Sequence, residues 1–223
     1  MKDFILVNKP EGWTSFDVVG FLRNKIKKEN PELKNIKVGH AGTLDPFATG
    51  LLIVGIGREA TKRLDEFKNL PKTYLTTIHL GATSNTDDKT GEISLISEKE
   101  PLTKEVEKTL ADFVGKQQQI PPMFSAKKVA GQRLYKLARK GETIERQPDE
   151  IEIHSLKLLS YSYPLLKIEV ACSTGTYIRT LARDIGEKLG VGAYCEELVR
   201  TAIGEYNLKD AKKPSDSDIL KIS

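Results

Sequence analysis

Cysteine is scarce in this chain of 223 residues, which has only Cys172 and Cys195. Two cysteines so far apart do not make a disulfide scaffold, and the three histidines, His40, His79 and His154, share no ligand spacing, so no metal site is expected. Long apolar runs are missing too, none approaching the roughly 18 residues that a membrane-spanning helix needs. The first ten residues hold one short apolar stretch, Phe4 to Val7, before Asn8-Lys9-Pro10. That pattern predicts a strand rather than a secretory signal, and with it a cytoplasmic chain. Neither sign of charge dominates, with 35 Lys and Arg against 31 Asp and Glu. A composition of 39% hydrophobic and 30% charged residues excludes a disordered or fibrous chain. The length suffices for one large domain, or two small ones, with a substantial core.

What is present is unevenly placed. Between Lys116 and Lys140 lie seven basic residues (Lys116, Lys127, Lys128, Arg133, Lys136, Arg139 and Lys140) and no acid, so the rest of the chain is net acidic. A basic block that also contains Phe124 and Tyr135 can set cations on phosphates and aromatic faces on bases, the footprint of a nucleic-acid surface; a solvated basic face is the plainer alternative.

Hydrophobic periodicity outlines the elements. Phe4 to Val7 reads as a strand, and Thr14 with Asp17 forms a capping box for a helix that turns Val19, Leu22 and Ile26 inward. A glycine-rich loop from Gly39 to Gly50 leads into a buried strand, Leu51 to Val54, then a helix around Ala60 to Phe67 and a strand from Thr73 to Leu80. Gly81 to Gly91 is a polar loop, and Val106, Leu110, Phe113 and Val114 mark an amphipathic helix before Pro121-Pro122. Two late strands follow, Glu150 to Leu158 and Leu166 to Cys172, and then a helix on Ile178, Leu181, Ala182, Ile185 and Leu189 that Gly190 closes. Strands and helices mix without a regular βαβ rhythm, which predicts an α+β fold with a largely antiparallel sheet.

Two short motifs invite over-reading. Gly55-Ile56-Gly57-Arg58-Glu59-Ala60 fits a dinucleotide-binding turn, but no acid occurs between Glu66 and Asp87 to meet a ribose, so tight strand-to-helix packing is the better account. Ser125-Ala126-Lys127-Lys128 matches S-x-x-K without the companion motifs of serine acyl enzymes.

The segment Gly39-His40-Ala41-Gly42-Thr43-Leu44-Asp45-Pro46-Phe47-Ala48-Thr49-Gly50 is dense in residues that serve no core, and such loops carry function. Asp45 alone could be a turn starter. With its neighbours it resembles the H-A-G-T-L-D-P-x-A-T-G-L-L signature of the TruB family of bacterial tRNA pseudouridine synthases. Further matches follow in family order: Asn8-Lys9-Pro10-x-Gly12-x-Thr14-Ser15, Lys72-x-Tyr74, Gln119-x-Pro121-Pro122-x-x-Ser125-Ala126, Leu134-Tyr135-x-x-Ala138-Arg139-x-Gly141, Cys172-Ser173-x-Gly175-Thr176-Tyr177-Ile178-Arg179-Thr180-Leu181-Ala182-Arg183-Asp184, and Leu198-x-Arg200-Thr201. The resemblance spans about residues 4 to 206. It departs from the family at Asn85, where an acid is usual, and in having only a short polar tail, 211–223, where members continue into a small RNA-binding PUA domain.

The resemblance implies a pseudouridine synthase fold, a largely antiparallel mixed sheet flanked by helices with a central RNA-binding cleft, in a catalytic domain over residues 1–210. It implies isomerisation of the T-loop uridine of tRNA, conventionally position 55, with no cofactor, no guide RNA and no obligate protein partner. The reaction needs a carboxylate beside the ribose, either to attack C1′ or to take the C2′ proton, and the resemblance gives that role to Asp45. A cation keeps such a carboxylate charged, and the resemblance supplies Arg179, oriented by Asp88. A base turned out of folded RNA needs a flat partner. By resemblance Tyr74 is that face and can assist at the C5 proton, Tyr177 and Leu198 wall the pocket, His40 fills the space the base leaves, and Lys127, Lys128, Arg133 and Arg139 meet the RNA backbone. The rival from another class is a non-catalytic tRNA-binding folding factor, which would keep its grip without Asp45.

Overall fold

The computed structural model describes residues 4–220 apart from Lys34, Ala126 and Ala130. Ala126 of the Gln119 motif, and the ends of the two expected domain ranges (1–3 and 221–223), lie outside the described residues. Along the chain run β1 (Phe4–Lys9), α1 (Ser15–Glu29), β2 (Val38–His40), β3 (Thr49–Ile56), α2 (Arg58–Arg63), α3 (Asp65–Lys68), β4 (Lys72–Leu80), β5 (Ala82–Ser84), β6 (Ile93–Leu95), α4 (Thr103–Asp112) and β7 (Gly115–Gln119). Then come β8 (Lys128–Val129), β9 (Gln132–Arg133), α5 (Leu134–Ala138), β10 (Asp149–Ser162), β11 (Leu165–Cys172), α6 (Ile178–Leu189), β12 (Ala193–Ile203) and β13 (Tyr206–Asn207). The chain divides into two compact units, one of residues up to Tyr74 and from Val199 onward, the other of Leu75–Leu198. Strands β4 and β12 each run from one unit into the other.

The first unit is built on β3, whose residues from Gly50 to Ile56 are all buried. Such a run has no polar face because both of its faces are covered. On one side Leu52 and Val54 join Ile5 and Val7 of β1, Val18, Val19, Leu22 and Ile26 of α1, and Ile219. On the other Leu51 and Ile53 meet Leu64 and Phe67 beside α2 and α3. β3 pairs antiparallel with β1 and β2, and parallel with the end of β12 through Val199↔Thr49 and Arg200↔Gly50. The expected cap of α1 is present: Thr14 Oγ1 accepts from the Asp17 N–H at 3.0 Å, and Asp17 Oδ2 accepts from the Thr14 N–H at 2.7 Å. Gly55 shows why glycine stands in the dinucleotide-like motif. A Cβ there would meet the Ala60 carbonyl carbon at 3.2 Å, so glycine lets α2 pack onto the strand.

Residues 211–220, within the expected short polar tail, are bonded to β1 and reach the core of this unit. The Asn8 N–H donates to the Lys212 carbonyl at 2.8 Å, the Lys212 N–H donates to the Leu6 carbonyl at 3.1 Å, and Ile219 is 3% exposed in the core. One apolar side chain at the right place outweighs a run of Lys, Ser and Asp.

In the second unit β12, β4, β11, β10 and β7 follow one another in hydrogen-bonded order. β10 pairs antiparallel with β11 and β7. Leu166, Ile168, Val170 and Cys172 alternate inward along β11, as the period-two pattern predicts. Helix α6 buries Ile178, Leu181, Ala182 and Ile185 and ends at Gly190, whose φ of 71° closes the helix in the left-handed region. The sheet is thus mixed and mostly antiparallel, in an α+β fold. Several sequence expectations need revision: the helix around 60–67 is two short ones, β10 extends to Ser162, and β7 and β12 have no counterpart in the periodicity reading.

Candidate active site

In the first unit Asp45 lies in the loop between β2 and β3, and that loop is tied at three places. Ser15 Oγ at the start of α1 accepts from the Leu44 N–H at 2.9 Å. Lys9 is fully buried, and its ammonium donates to the carbonyls of Pro10 at 2.8 Å, Trp13 at 2.7 Å and Pro46 at 3.3 Å, so one cation fastens the β1 turn to the residue after Asp45. Arg200 of β12, 2% exposed, donates from Nε to the Leu51 carbonyl at 2.8 Å and from Nη2 to the Gly42 carbonyl at 3.2 Å. The Gly12 N–H adds a bond to the Pro46 carbonyl at 2.8 Å. Asp45 therefore sits half-buried on a loop tethered on both sides of it. Burial lowers the Lys9 pKa to about 8, while the Asp45 charge pulls it the other way.

His40 ends β2, its ring meeting the exposed Phe16 ring edge-on at 5.3 Å. Burial holds its pKa below the usual histidine range, so the imidazole is neutral near pH 7. Tyr74 is buried on β4, at the edge of this unit.

The other predicted site residues belong to the second unit. Arg179, in the first turn of α6, is 3% exposed. Its Nη1 donates to the Thr86 carbonyl at 2.8 Å and lies 3.4 Å from Asp88 Oδ2, and its Nη2 donates to the Phe124 carbonyl at 2.9 Å. The predicted Arg179 and Asp88 partnership is thus present. Asp88 Oδ1 accepts in addition from the Thr90 N–H and from Thr86 Oγ1, both at 2.9 Å. Asn85, the departure from the family pattern, closes the same loop by accepting from the Glu92 N–H at 3.0 Å. Tyr177 caps α6 with its backbone, its N–H donating to Gln119 Oε1 at 2.8 Å while Gln119 Nε2 donates back to the Tyr177 carbonyl at 3.1 Å. Leu198 is buried on β12.

Of the basic block, Lys116 lies on β7, and the others lie in or beside the β8–β9 hairpin and α5. Lys128, Arg133 and Lys136 line a basin of about 630 Å³ with Gly131, Gln132 and Tyr135, and Arg139 stacks over the Tyr135 ring at 5.7 Å. Lys127 differs from its neighbours, because its ammonium is paired with Asp149 at 2.5 Å and part of its charge is spent within the protein. Among the described residues, no group of three or more His, Cys, Asp or Glu is placed to hold a metal ion, and no helix is long and apolar enough to cross a membrane.

Lys9, Ser15 and Arg200 stand inside the matched motifs, yet no task for them is legible in the sequence. A lysine closing an apolar strand and an arginine inside a run headed for burial were the available signals, since such charges are kept inside only when fully bonded.

Comparison with known proteins gives two family matches: residues 28–178 fit the model of the TruB family pseudouridylate synthase N-terminal domain, and residues 179–216 fit that of the tRNA pseudouridylate synthase B C-terminal domain. A protein named tRNA pseudouridine synthase B from Parabacteroides distasonis is 50% identical over 217 residues, 97% of this chain and 92% of that protein. One of the same name from Dehalococcoides mccartyi strain CBDB1 is 43% identical over 99% of this chain and 71% of that protein. Among solved structures, a chain of a Cbf5-Nop10-Gar1 complex superposes with a TM-score of 0.68 at 26% identity, covering 92% of this chain and 50% of that one.

Proposed function

The chain belongs to the TruB family of pseudouridylate synthases, and on that premise we propose that it converts the T-loop uridine of tRNA, conventionally position 55, to pseudouridine, acting alone in the cytoplasm with Asp45 as the catalytic residue. The observation that carries the assignment of Asp45 is the three-point fastening of its loop by Lys9, Ser15 and Arg200. A carboxylate that must meet one ribose carbon gains most from being fixed before the substrate arrives. The near full-length match to proteins named tRNA pseudouridine synthase B supports tRNA as substrate without a guide RNA.

The reaction breaks the bond from C1′ to N1, joins C1′ to C5 and moves the C5 proton to N1, so atoms balance without a cofactor. Asp45 serves at the ribose, as nucleophile on C1′ or base on the C2′ proton. Arg179 supplies positive charge in the uridine pocket, and Asp88 holds its guanidinium in one orientation. Tyr74 stacks on the everted uracil and its phenol takes the C5 proton, Tyr177 and Leu198 wall the pocket, and the neutral His40 ring fills the vacated stack. Lys128, Arg133 and Arg139, with a smaller share from Lys127, meet backbone phosphates.

Asp45→Asn tests the reading, because the amide keeps the shape and loses the charge. It should abolish pseudouridine formation on a tRNA transcript while leaving affinity within a few fold. Pseudouridine made at an appreciable rate by pure Asp45→Asn protein removes Asp45 from the chemistry. A wild-type protein that binds tRNA and forms no pseudouridine favours the folding-factor alternative.

A further inference from the structure

Helix α6 carries two arginines four residues apart, Arg179 and Arg183, a spacing that sets them one above the other on one face. Each meets one of two consecutive aspartates. Arg179 Nη1 lies 3.4 Å from Asp88 Oδ2, and Arg183 Nη1 lies 3.4 Å from Asp87 Oδ2. Neighbouring side chains of an extended segment point to opposite sides and could not both address one helix. The chain solves this at Asp87, which among the described residues is the one non-glycine with φ in the left-handed region, at 62°. A side chain tolerates that conformation at a cost and keeps it only when its surroundings enforce it.

The enforcement is visible. The Asp87 N–H donates to the Ser84 carbonyl at 3.0 Å, its carbonyl accepts from the Cys195 N–H at 2.9 Å, and its carboxylate, 15% exposed, faces Arg183. Burial pushes the Asp87 carboxyl above its ordinary range, Asp184 and Asp88 add to that push, and Arg183 is the main opposing charge, ahead of Arg179. Arg183 is itself fixed, by Asp184 at 2.7 Å and Glu187 at 3.6 Å. Two of the groups that hold Arg179, the Thr86 carbonyl and the Asp88 carboxylate, belong to the residues on either side of Asp87.

We propose that Arg183 is a positioning residue for the isomerisation: it holds the left-handed turn at Asp87, and the turn aims the Thr86 and Asp88 groups that orient Arg179. The inference rests on the role given to Arg179 under the proposed function. Without Arg183 the Asp87 carboxylate is left buried beside two other acids, and the turn shifts to rehydrate it. Arg179 then loses two of its fixed partners and keeps the Phe124 carbonyl, while the basic hairpin is untouched.

The test is single-turnover conversion of a tRNA transcript at saturating enzyme, with tRNA affinity and the melting temperature measured in parallel. Arg183→Ala should slow conversion by about tenfold to a hundredfold, the cost of a misplaced active-site group, with the dissociation constant within about threefold of wild type. Arg183→Lys, which returns a cation to Asp87, should recover most of the rate. A purely structural role predicts a lower melting temperature with the single-turnover rate of the folded protein unchanged, and that result overturns the proposal. Equal losses of affinity and rate also overturn it, since they make Arg183 an RNA contact. If Arg183→Ala does not fold, Arg183→Gln keeps most of the side chain and removes its charge, leaving the Asp87 carboxylate uncompensated; it should lose rate in the same way, and a wild-type rate overturns the proposal. An inactive wild type brings down the functional reading together with this one, whereas an active wild type with an unimpaired Arg183→Ala overturns the inference alone.

Discussion

Tyr74, whose ring is proposed to stack on the everted uracil, is buried on β4. The two tasks given to it separate by substitution. Stacking on an aromatic face is worth roughly 1 to 3 kcal/mol per base and needs no hydroxyl, so Tyr74→Phe retains rate if stacking is the whole task. If the phenol also moves the C5 proton, the same variant loses the roughly 100-fold to 10,000-fold typical of general acid-base catalysis with binding intact. The expected outcome is the second, with Tyr74→Leu impaired as well; single-turnover rates of the two variants check it, and a fast Leu variant removes Tyr74 from the site. At this scale the sequence suggested a chemistry and was silent about its support. Asp45 stood out because an Asp-Pro turn lies in a run of small residues that reads as a loop; against the expectation that such residues serve no core, Ala41, Leu44, Phe47 and Ala48 are buried. Lys9, Ser15 and Arg200 did not stand out, because what they do is donate or accept at carbonyls and amides distant in the chain, and no local pattern encodes such a bond.

Gly50 belongs to β3 rather than to the loop before it, paired with Lys9 on one side and Arg200 on the other. Its φ is 107°, and a Cβ there would overlap the Arg200 backbone. Gly50→Ala should therefore cost well over 1 kcal/mol from backbone strain alone, with the overlap in addition. The urea midpoint should fall sharply, and a midpoint equal to wild type would show that the parallel pairing of β3 and β12 tolerates a side chain. The same strand explains which elements were legible. Where one face is buried, as on α1, α6 and β11, periodicity identified the element. β12 was invisible because its residues Ala193-Tyr194-Cys195 are buried in succession and Glu196-Glu197 follow, so it has neither alternation nor a clean apolar run. β7, Gly115-Lys116-Gln117-Gln118-Gln119, offers no apolar side chain at all and exists through its pairing with β10. The split of the helix at 60–67 followed from no pattern either, since Leu64 serves the core from between α2 and α3.

Across the whole molecule, the net charge of +4 hides a local excess of cations in and beside the β8–β9 hairpin and α5, the surface proposed to meet RNA. Affinity for tRNA should fall steeply with salt as counterions compete for the phosphates. Replacing Lys128 and Arg133 by Ala should shallow the slope of log affinity against log salt by about one unit for each phosphate no longer neutralised. Lys127→Ala should change the slope less, since Asp149 already neutralises part of that charge. An unaltered slope in the Lys128 and Arg133 variants would place the RNA on another surface. The division of the chain bears on its synthesis as well. Residues 75–198, which include the basic hairpin, leave the ribosome as one uninterrupted stretch and can fold as they emerge. The unit that carries Asp45 cannot be completed then, because Arg200, the Lys212 pairing with β1 and the core residue Ile219 are all translated after that stretch. A nascent chain thus emerges with the stretch that holds the basic hairpin complete while the loop bearing Asp45 still waits for Arg200, which follows residue 198.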